Sequence, residues 1–180
     1  FFQAEDGIRD VAVTGVQTCV FRSNPKVEPS FIDTQADPAQ SPALALSTVN
    51  DACVIGVVGG MYSGETRAAL PIYLKGGLPV ISPSATNATL PSVGKDVFHR
   101  VVANDDVQGP ALAKLAGNQP NAKVFIVDDQ STYGKDLATT VKKKLAKAKQ
   151  VGSDSVTSGA TNFTSVVAKV KKAGANVVFY

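Results

Sequence analysis

VIGVVGGMYSGETRAALPIYLKGGLPVISPSAT, residues 54–86, reads as a strand, a glycine turn, a helix, a second strand and a polar loop in one continuous run. Val54, Ile55, Val57 and Val58 form an apolar run of the kind buried on both faces of a parallel sheet. Gly59 and Gly60 permit a sharp turn after it, and Ser63 stands where the helix begins, its hydroxyl suited to capping backbone N–H groups or sharing them with a ligand. Ala68, Ala69, Ile72 and Tyr73 supply the helix with a buried stripe, Gly76-Gly77 ends it, and Leu78 to Ile81 starts the next strand. The hydroxyl-rich loop Ser82-Pro83-Ser84-Ala85-Thr86 then falls at the carboxyl end of that strand. In open α/β sheets this is where ligands bind, so Ser63, Ser84 and Thr86 are candidates for one side of a small-molecule pocket.

The start of the chain is of another character. Gln3 to Cys19, QAEDGIRDVAVTGVQTC, resembles the conceptual translation of a sequencing-library adapter. Val20-Phe21-Arg22-Ser23 reads as the adapter's tail after the loss of one nucleotide. Residues 1–23 are therefore expected to be non-native and are set aside in reading the fold. The whole chain carries 18 basic and 15 acidic residues; the first 23 hold Arg9 and Arg22 against Glu5, Asp6 and Asp10, which leaves +4 on the rest. A surplus that mild, spread over several helices, gives no argument for nucleic acid. Cys53 remains as a single cysteine in or beside a strand, which excludes a disulfide framework or a cysteine metal cluster and suits a small buried hydrophobe. No apolar run approaches the roughly 20 residues of a membrane-spanning helix. No signal peptide is visible, which carries no weight if the true start has been lost.

From residue 24 onward strand and helix signals alternate, the pattern of an α/β protein with mostly parallel sheets. Val27 to Asp33 is a weak strand, and Asp37-Pro38 predicts a helix start that runs to Asn50-Asp51. Asn87 to Asp96 is a polar loop or short irregular helix. Val97 to Val102 is a strand that leads into Ala103-Asn104-Asp105-Asp106 and a helix over 107–115, capped by Asp106. Lys123 to Val127 is a buried strand, Gln130 to Gly134 a turn, and Lys135 to Lys149 a long basic helix. Val151 to Val156, a helix from Thr161 to Gly174, and the strand Ala175 to Tyr180 complete the chain, which ends on a strong strand pattern and reads as cut there.

The motifs of enzymes are absent or broken. Gly59 to Thr66 fits the phosphate-binding loop except that Glu65 replaces its lysine and reverses the charge. Met61 and Tyr62 break the nucleophile-elbow pattern around Ser63. His99, the single histidine, lies mid-strand, where neither a catalytic triad nor a zinc site is supported. Lys142-Lys143-Lys144 with Lys147 and Lys149 reads as a solvated helix face. Asp105 is open to two readings, a partner for an ammonium group or part of a helix cap.

Six segments together resemble a known family: DTQADPAQ (33–40), VIGVVGGMYSGETRAALPIY (54–73), GLPVISPSATN (77–87), RVVANDDVQGPALAK (100–114), VDDQSTYGKDLA (127–138) and GATNFTSVVAKVK (159–171). In this order they resemble the type I periplasmic substrate-binding proteins of branched-chain amino acid ABC transporters. The resemblance implies an α/β fold of two Rossmann-like lobes with parallel sheets, here incomplete at both ends. It places lobe 1 over 24–104, without its first strand, and the start of lobe 2 over 105–180. It implies a non-enzymatic, monomeric, extracytoplasmic receptor (periplasmic or membrane-anchored), without cofactor, metal or nucleic acid, that closes over an amino acid and delivers it to a membrane ABC permease. Carried over by motif, Ser63, Ser84, Ala85 and Thr86 meet the ligand's carboxylate side through hydroxyls and backbone N–H groups. Asp105 meets the ammonium group, and Tyr133 lines the second lobe. Some members join the positions held here by Ala36 and Tyr62 with a disulfide; this sequence lacks it, and Tyr62 is expected to form an aromatic wall instead. The alternatives are a ligand-sensing domain of the same fold and a Rossmann-like enzyme, for which the required glycine turn or activated nucleophile is missing.

Overall fold

A computed structural model describes residues 16–19 and 26–180. The set-aside segment therefore lies outside the described residues except for Val16–Cys19, which forms a strand, β1. β2 (Lys26–Pro29) pairs with it antiparallel, and β1 in turn pairs antiparallel with β3 (Val54–Val58). These four residues of the set-aside segment thus take a place in the sheet, and its β1–β2 corner is antiparallel. The remaining elements are α1 (Ser41–Asn50), α2 (Ser63–Gly76), β4 (Val80–Ser82), α3 (Leu90–Gly94), β5 (Phe98–Arg100), α4 (Asp105–Gly117), β6 (Val124–Asp128), α5 (Thr132–Lys144), β7 (Gln150–Ser155), α6 (Thr164–Lys172) and β8 (Val177–Phe179). Strand order is β2-β1-β3-β4-β5 in one sheet and β7-β6-β8 in the other, with β3-β4-β5 and all of the second sheet parallel.

The chain divides into two compact units. The first holds the residues up to Ala85 and Thr89–Val102, the second Thr86–Ala88 and Ala103–Tyr180. In the first unit, Val57, Val80 and Phe98 are in register across three strands and bury against Ala45, Leu70, Tyr73 and Leu90 of the helices. Val58 and Ile81, register partners on the alternate face, are 41% and 43% exposed. β3 is thus covered on one side only, against the expectation of burial on both. In the second unit β6 is buried throughout. Val124 and Ile126 pack with Ala113, Ala138 and Val141 of α4 and α5, whereas Phe125 and Val127 pack with Val166 of α6. The period of two along one strand thereby serves both faces.

Local chemistry moved several helix starts. Asp37 does not open a helix: its Oδ1 accepts the Ala39 N–H at 2.8 Å and closes a turn, and α1 begins at Ser41, with Pro42 in its first turn. α5 starts three residues before Lys135, because the Ser131 hydroxyl accepts the Gly134 N–H at 2.9 Å as its N-cap; it stops at Lys144. α4 begins at Asp105 with Asn104 in the N-cap position, so Asp106 is not the cap. Two glycines are positional. Gly60 turns the chain at φ +72°, where a Cβ would stand 2.3 Å from Thr66 Oγ1. Gly109, in the Val107-Gln108-Gly109-Pro110 run, lets α4 meet α5; a Cβ there would lie 2.4 Å from Thr140 Cγ2.

Tyr73 gives the first unit a measurable pH response. Burial, against a hydrogen bond with Thr48 that acts the other way and with a smaller push from Glu65, raises its hydroxyl to about 12. Because the folded state holds the proton more tightly than the unfolded chain, this contribution is complete below the ordinary tyrosine value near 10 and is lost as pH rises toward 12. Denaturation midpoints are expected to fall over that window by on the order of 2 kcal/mol of stability, and Tyr73→Phe is expected to flatten the fall. An equal fall in Tyr73→Phe would assign the response to other groups.

Candidate functional site

Two loops at the carboxyl ends of β3 and β4 are stitched together within the first unit. Ser82, fully buried, donates from Oγ to the Gly60 carbonyl at 2.6 Å and accepts the Ala85 N–H at 2.9 Å. Ser84 Oγ donates to the Met61 carbonyl at 2.5 Å. Beneath them Glu65, 2% exposed, accepts the N–H groups of Met61 at 2.7 Å and Tyr62 at 3.1 Å on Oε1 and the Thr34 hydroxyl on Oε2. This carboxylate, which in sequence only spoils a phosphate loop, is the post that fixes the turn before α2. Ser63 is the first residue of α2 and 2% exposed, while Tyr62 precedes it and is 47% exposed. The first turn of a helix directs N–H groups at whatever lies before it, and an anion is favoured there.

Ala85 departs from expectation. It is fully buried, its N–H is held by Ser82 and its carbonyl accepts Arg100 Nη1 at 3.3 Å, so its backbone serves the loop. Ser82 is the group that sequence reading passed over; the only signal was one more hydroxyl in a serine-rich loop. Ser82→Ala is expected to cost about 1–2 kcal/mol, since it strands the buried Ala85 N–H and the half-buried Gly60 carbonyl in one step. Chemical denaturation of that variant beside Ser84→Ala checks it, the second change being milder because Ser84 is less buried.

The second unit gathers the other candidates. Asp105 is 2% exposed, sits in the first turn of α4 and donates its N–H to the Thr86 carbonyl at 2.9 Å. The helix dipole at that position favours its negative charge. Thr86 Oγ1 is buried and finds no hydrogen-bond partner among the described residues. Gln108, one turn along α4, donates from Nε2 to Tyr133 Oη at 3.1 Å, while its Oε1 is buried without a partner among the described residues. Tyr133 lies in the first turn of α5, 38% exposed, beside a groove of about 530 Å³ shared with Gln108, Asp129 and Phe179. Asn87, fully buried, donates from Nδ2 to Asp136 Oδ2 at 2.5 Å and anchors the Thr86 segment to α5.

Ser63, Ser84, Ala85 and Tyr62 thus belong to one unit and Thr86, Asp105 and Tyr133 to the other. Gln108 was not foreseen, since glutamine in a helix carries no pattern signal. Buried polar atoms are nearly always satisfied, so the Thr86 hydroxyl and the Gln108 carbonyl oxygen are positions where a water or a polar ligand group can bond. Among the described residues no cluster of His, Cys, Asp and Glu is arranged to hold a metal ion.

The profile of the family described as periplasmic binding protein matches residues 6–180. The leucine-, isoleucine-, valine-, threonine- and alanine-binding protein of Pseudomonas aeruginosa is 33% identical over 158 residues, covering 86% of this chain and 42% of that protein. The Leu/Ile/Val-binding protein of Escherichia coli K12 is 33% identical over 184 residues, all of this chain and 48% of that one. The crystal structure of the branched-chain amino acid transporter substrate binding protein LivJ from Streptococcus pneumoniae, in complex with isoleucine, superposes with a TM-score of 0.70 at 30% identity, over 78% of this chain and 40% of that one. The chain spans about half the length, or less, of these curated relatives.

Proposed function

The chain belongs to the periplasmic binding protein family, and from that membership we propose that it captures a branched-chain or related amino acid outside the cytoplasm for an ABC importer. The observation that carries this reading is the buried Asp105 joined to Thr86, whose hydroxyl is buried and open to a partner. Thr86 Oγ1 finds no partner among the described residues, and an α-ammonium group supplies a donor for it beside the negative charge of Asp105. Within the first unit, the start of α2 at Ser63, where the helix dipole favours an anion, suits a carboxylate group. Ser84 and Ala85 shape that loop through their hydrogen bonds to Met61 and Ser82; Tyr62 offers aromatic surface in the first unit and Tyr133 in the second. The arrangement asks for no bond making: the single histidine, His99, lies within strand β5, and we assign a binding role, as a monomer and without nucleic acid or cofactor.

The test is a ligand series on the full-length protein. Leucine is expected to bind, isocaproate (leucine without its ammonium group) to bind at least about 100-fold more weakly, and leucinamide also to lose affinity. Equal binding of leucine and isocaproate would remove Asp105 from its assigned role.

A further inference from the structure

We propose that the amino-terminal edge of the second unit's sheet is a cationic docking surface for an anionic phospholipid bilayer. The parallel order β7-β6-β8 returns each helix of this unit in the same direction, so the carboxyl ends of α4, α5 and α6 lie with the starts of the strands. Lys149 Nζ, just before β7, donates to the carbonyl of Gly117 at the end of α4 and ties two of these ends together. Lysines collect there from separate parts of the chain. Lys114 lies in the last turn of α4 and Lys142, Lys143 and Lys144 close α5. Lys123 and Lys147 lead into β6 and β7, and Lys171 and Lys172 close α6. All of these are exposed except Lys142 and Lys149, which are half-buried.

The carboxylates lie at the opposite edge. Asp105 and Asp106 open α4, Asp128 and Asp129 end β6, and Asp136 follows the start of α5. Of the charges left over, Asp154 and Lys169 neutralise each other at 2.7 Å, and only Lys135 among the lysines lies near a helix start. A charge surplus that looks scattered in sequence is therefore gathered by the fold into one pole.

Lysine at a helix end complements the macrodipole, and this accounts for part of the pattern. Each helix end, however, carries only about half an elementary charge, far less than this edge holds. The chemistry also indicates what covers it. The unit's cations are all lysine, with neither arginine nor histidine in residues 103–180. Lysine ammonium groups are strongly hydrated point charges, suited to a diffuse negative surface and not to bidentate capture of one phosphate or carboxylate. A periplasmic binding protein works in a compartment bounded by bilayers, and a broad lysine edge fits their headgroup layer.

Vesicles of equal parts phosphatidylcholine and phosphatidylglycerol test this with the purified chain. Each lysine near an anionic surface adds roughly fivefold to partitioning, so K142E/K143E/K144E is expected to lower it about 100-fold or more. K142Q/K143Q/K144Q is expected to lower it less, added sodium chloride to weaken it, and K135E, at the other edge, to leave it unchanged. Circular dichroism of each variant checks that it remains folded. Absence of partitioning at low salt overturns the proposal, as does partitioning that the triple reversal leaves intact. Binding to polyglutamate or duplex DNA without binding to the vesicles would also overturn it, in favour of a polyanionic macromolecule.

Discussion

Glu65→Ala is expected to cost the first unit about 3 kcal/mol and to loosen the turn that precedes α2. The carboxylate is 2% exposed and takes three donors: the N–H groups of Met61 and Tyr62 and the hydroxyl of Thr34. Alanine leaves two part-buried backbone donors and the buried Thr34 hydroxyl without this acceptor and also opens a cavity where the buried side chain stood. Glutamine separates charge from geometry. Its amide oxygen can still accept from Met61 and Tyr62, while its NH₂ can donate to a rotated Thr34 hydroxyl, so Glu65→Gln is expected to lose about 1 kcal/mol. Urea denaturation followed by a probe in the first unit checks both. If alanine and glutamine cost the same, the three hydrogen bonds are not what fixes this turn.

Asp105→Asn is expected to weaken amino acid binding on the order of 100-fold while leaving the second unit folded. Asparagine matches the shape of aspartate and leaves the backbone link from residue 105 to Thr86 in place, so the loss isolates the charge. Stability should change little or rise slightly, because a buried charge has been removed along with its favourable place at a helix start. The signature of the assigned role is selective. Affinity for leucine falls steeply, affinity for isocaproate does not, and the two ligands become nearly equal. A uniform loss for both would mean that Asp105 shapes the fold and does not meet the ammonium group.

Much of this was written in local sequence. The run from Val54 to Thr86 gave a strand, helix and strand because its punctuation is strong: paired glycines at both turns and Gly77 at φ +65° ending α2. What failed did so where two local signals competed. Asp37-Pro38 reads as a helix start, but Asp37 closes a turn with its own side chain and the helix waits for Ser41-Pro42. Gln130 to Gly134 looked like a turn because of its glycine and serine, yet Ser131 caps a helix through Gly134. Pro71 and Pro110 lie inside helices that local propensity alone would interrupt. Burial was misjudged at Ile55 and Val58, since an apolar run cannot say whether both faces of its sheet are covered.

The candidate site was legible as residue types and not as a network. Ser63, Ser84, Thr86 and Asp105 stand out as polar groups at strand ends. The contacts that give them meaning join residues far apart in sequence: Thr34 with Glu65, Gln108 with Tyr133, Asn87 with Asp136. No periodicity records such pairs. The lysine edge of the second unit is a similar case, since its members come from the ends of three helices and only the parallel topology brings them to one side.

Calorimetric titration of the full-length protein with leucine, isoleucine and valine tests the account most directly. Saturable one-to-one binding of at least one of them, abolished or steeply weakened by Asp105→Asn, is the predicted result. A folded protein that ignores all three and instead binds an aromatic acid or a neutral amide would contradict it, leaving the fold in place and removing the amino acid as its ligand.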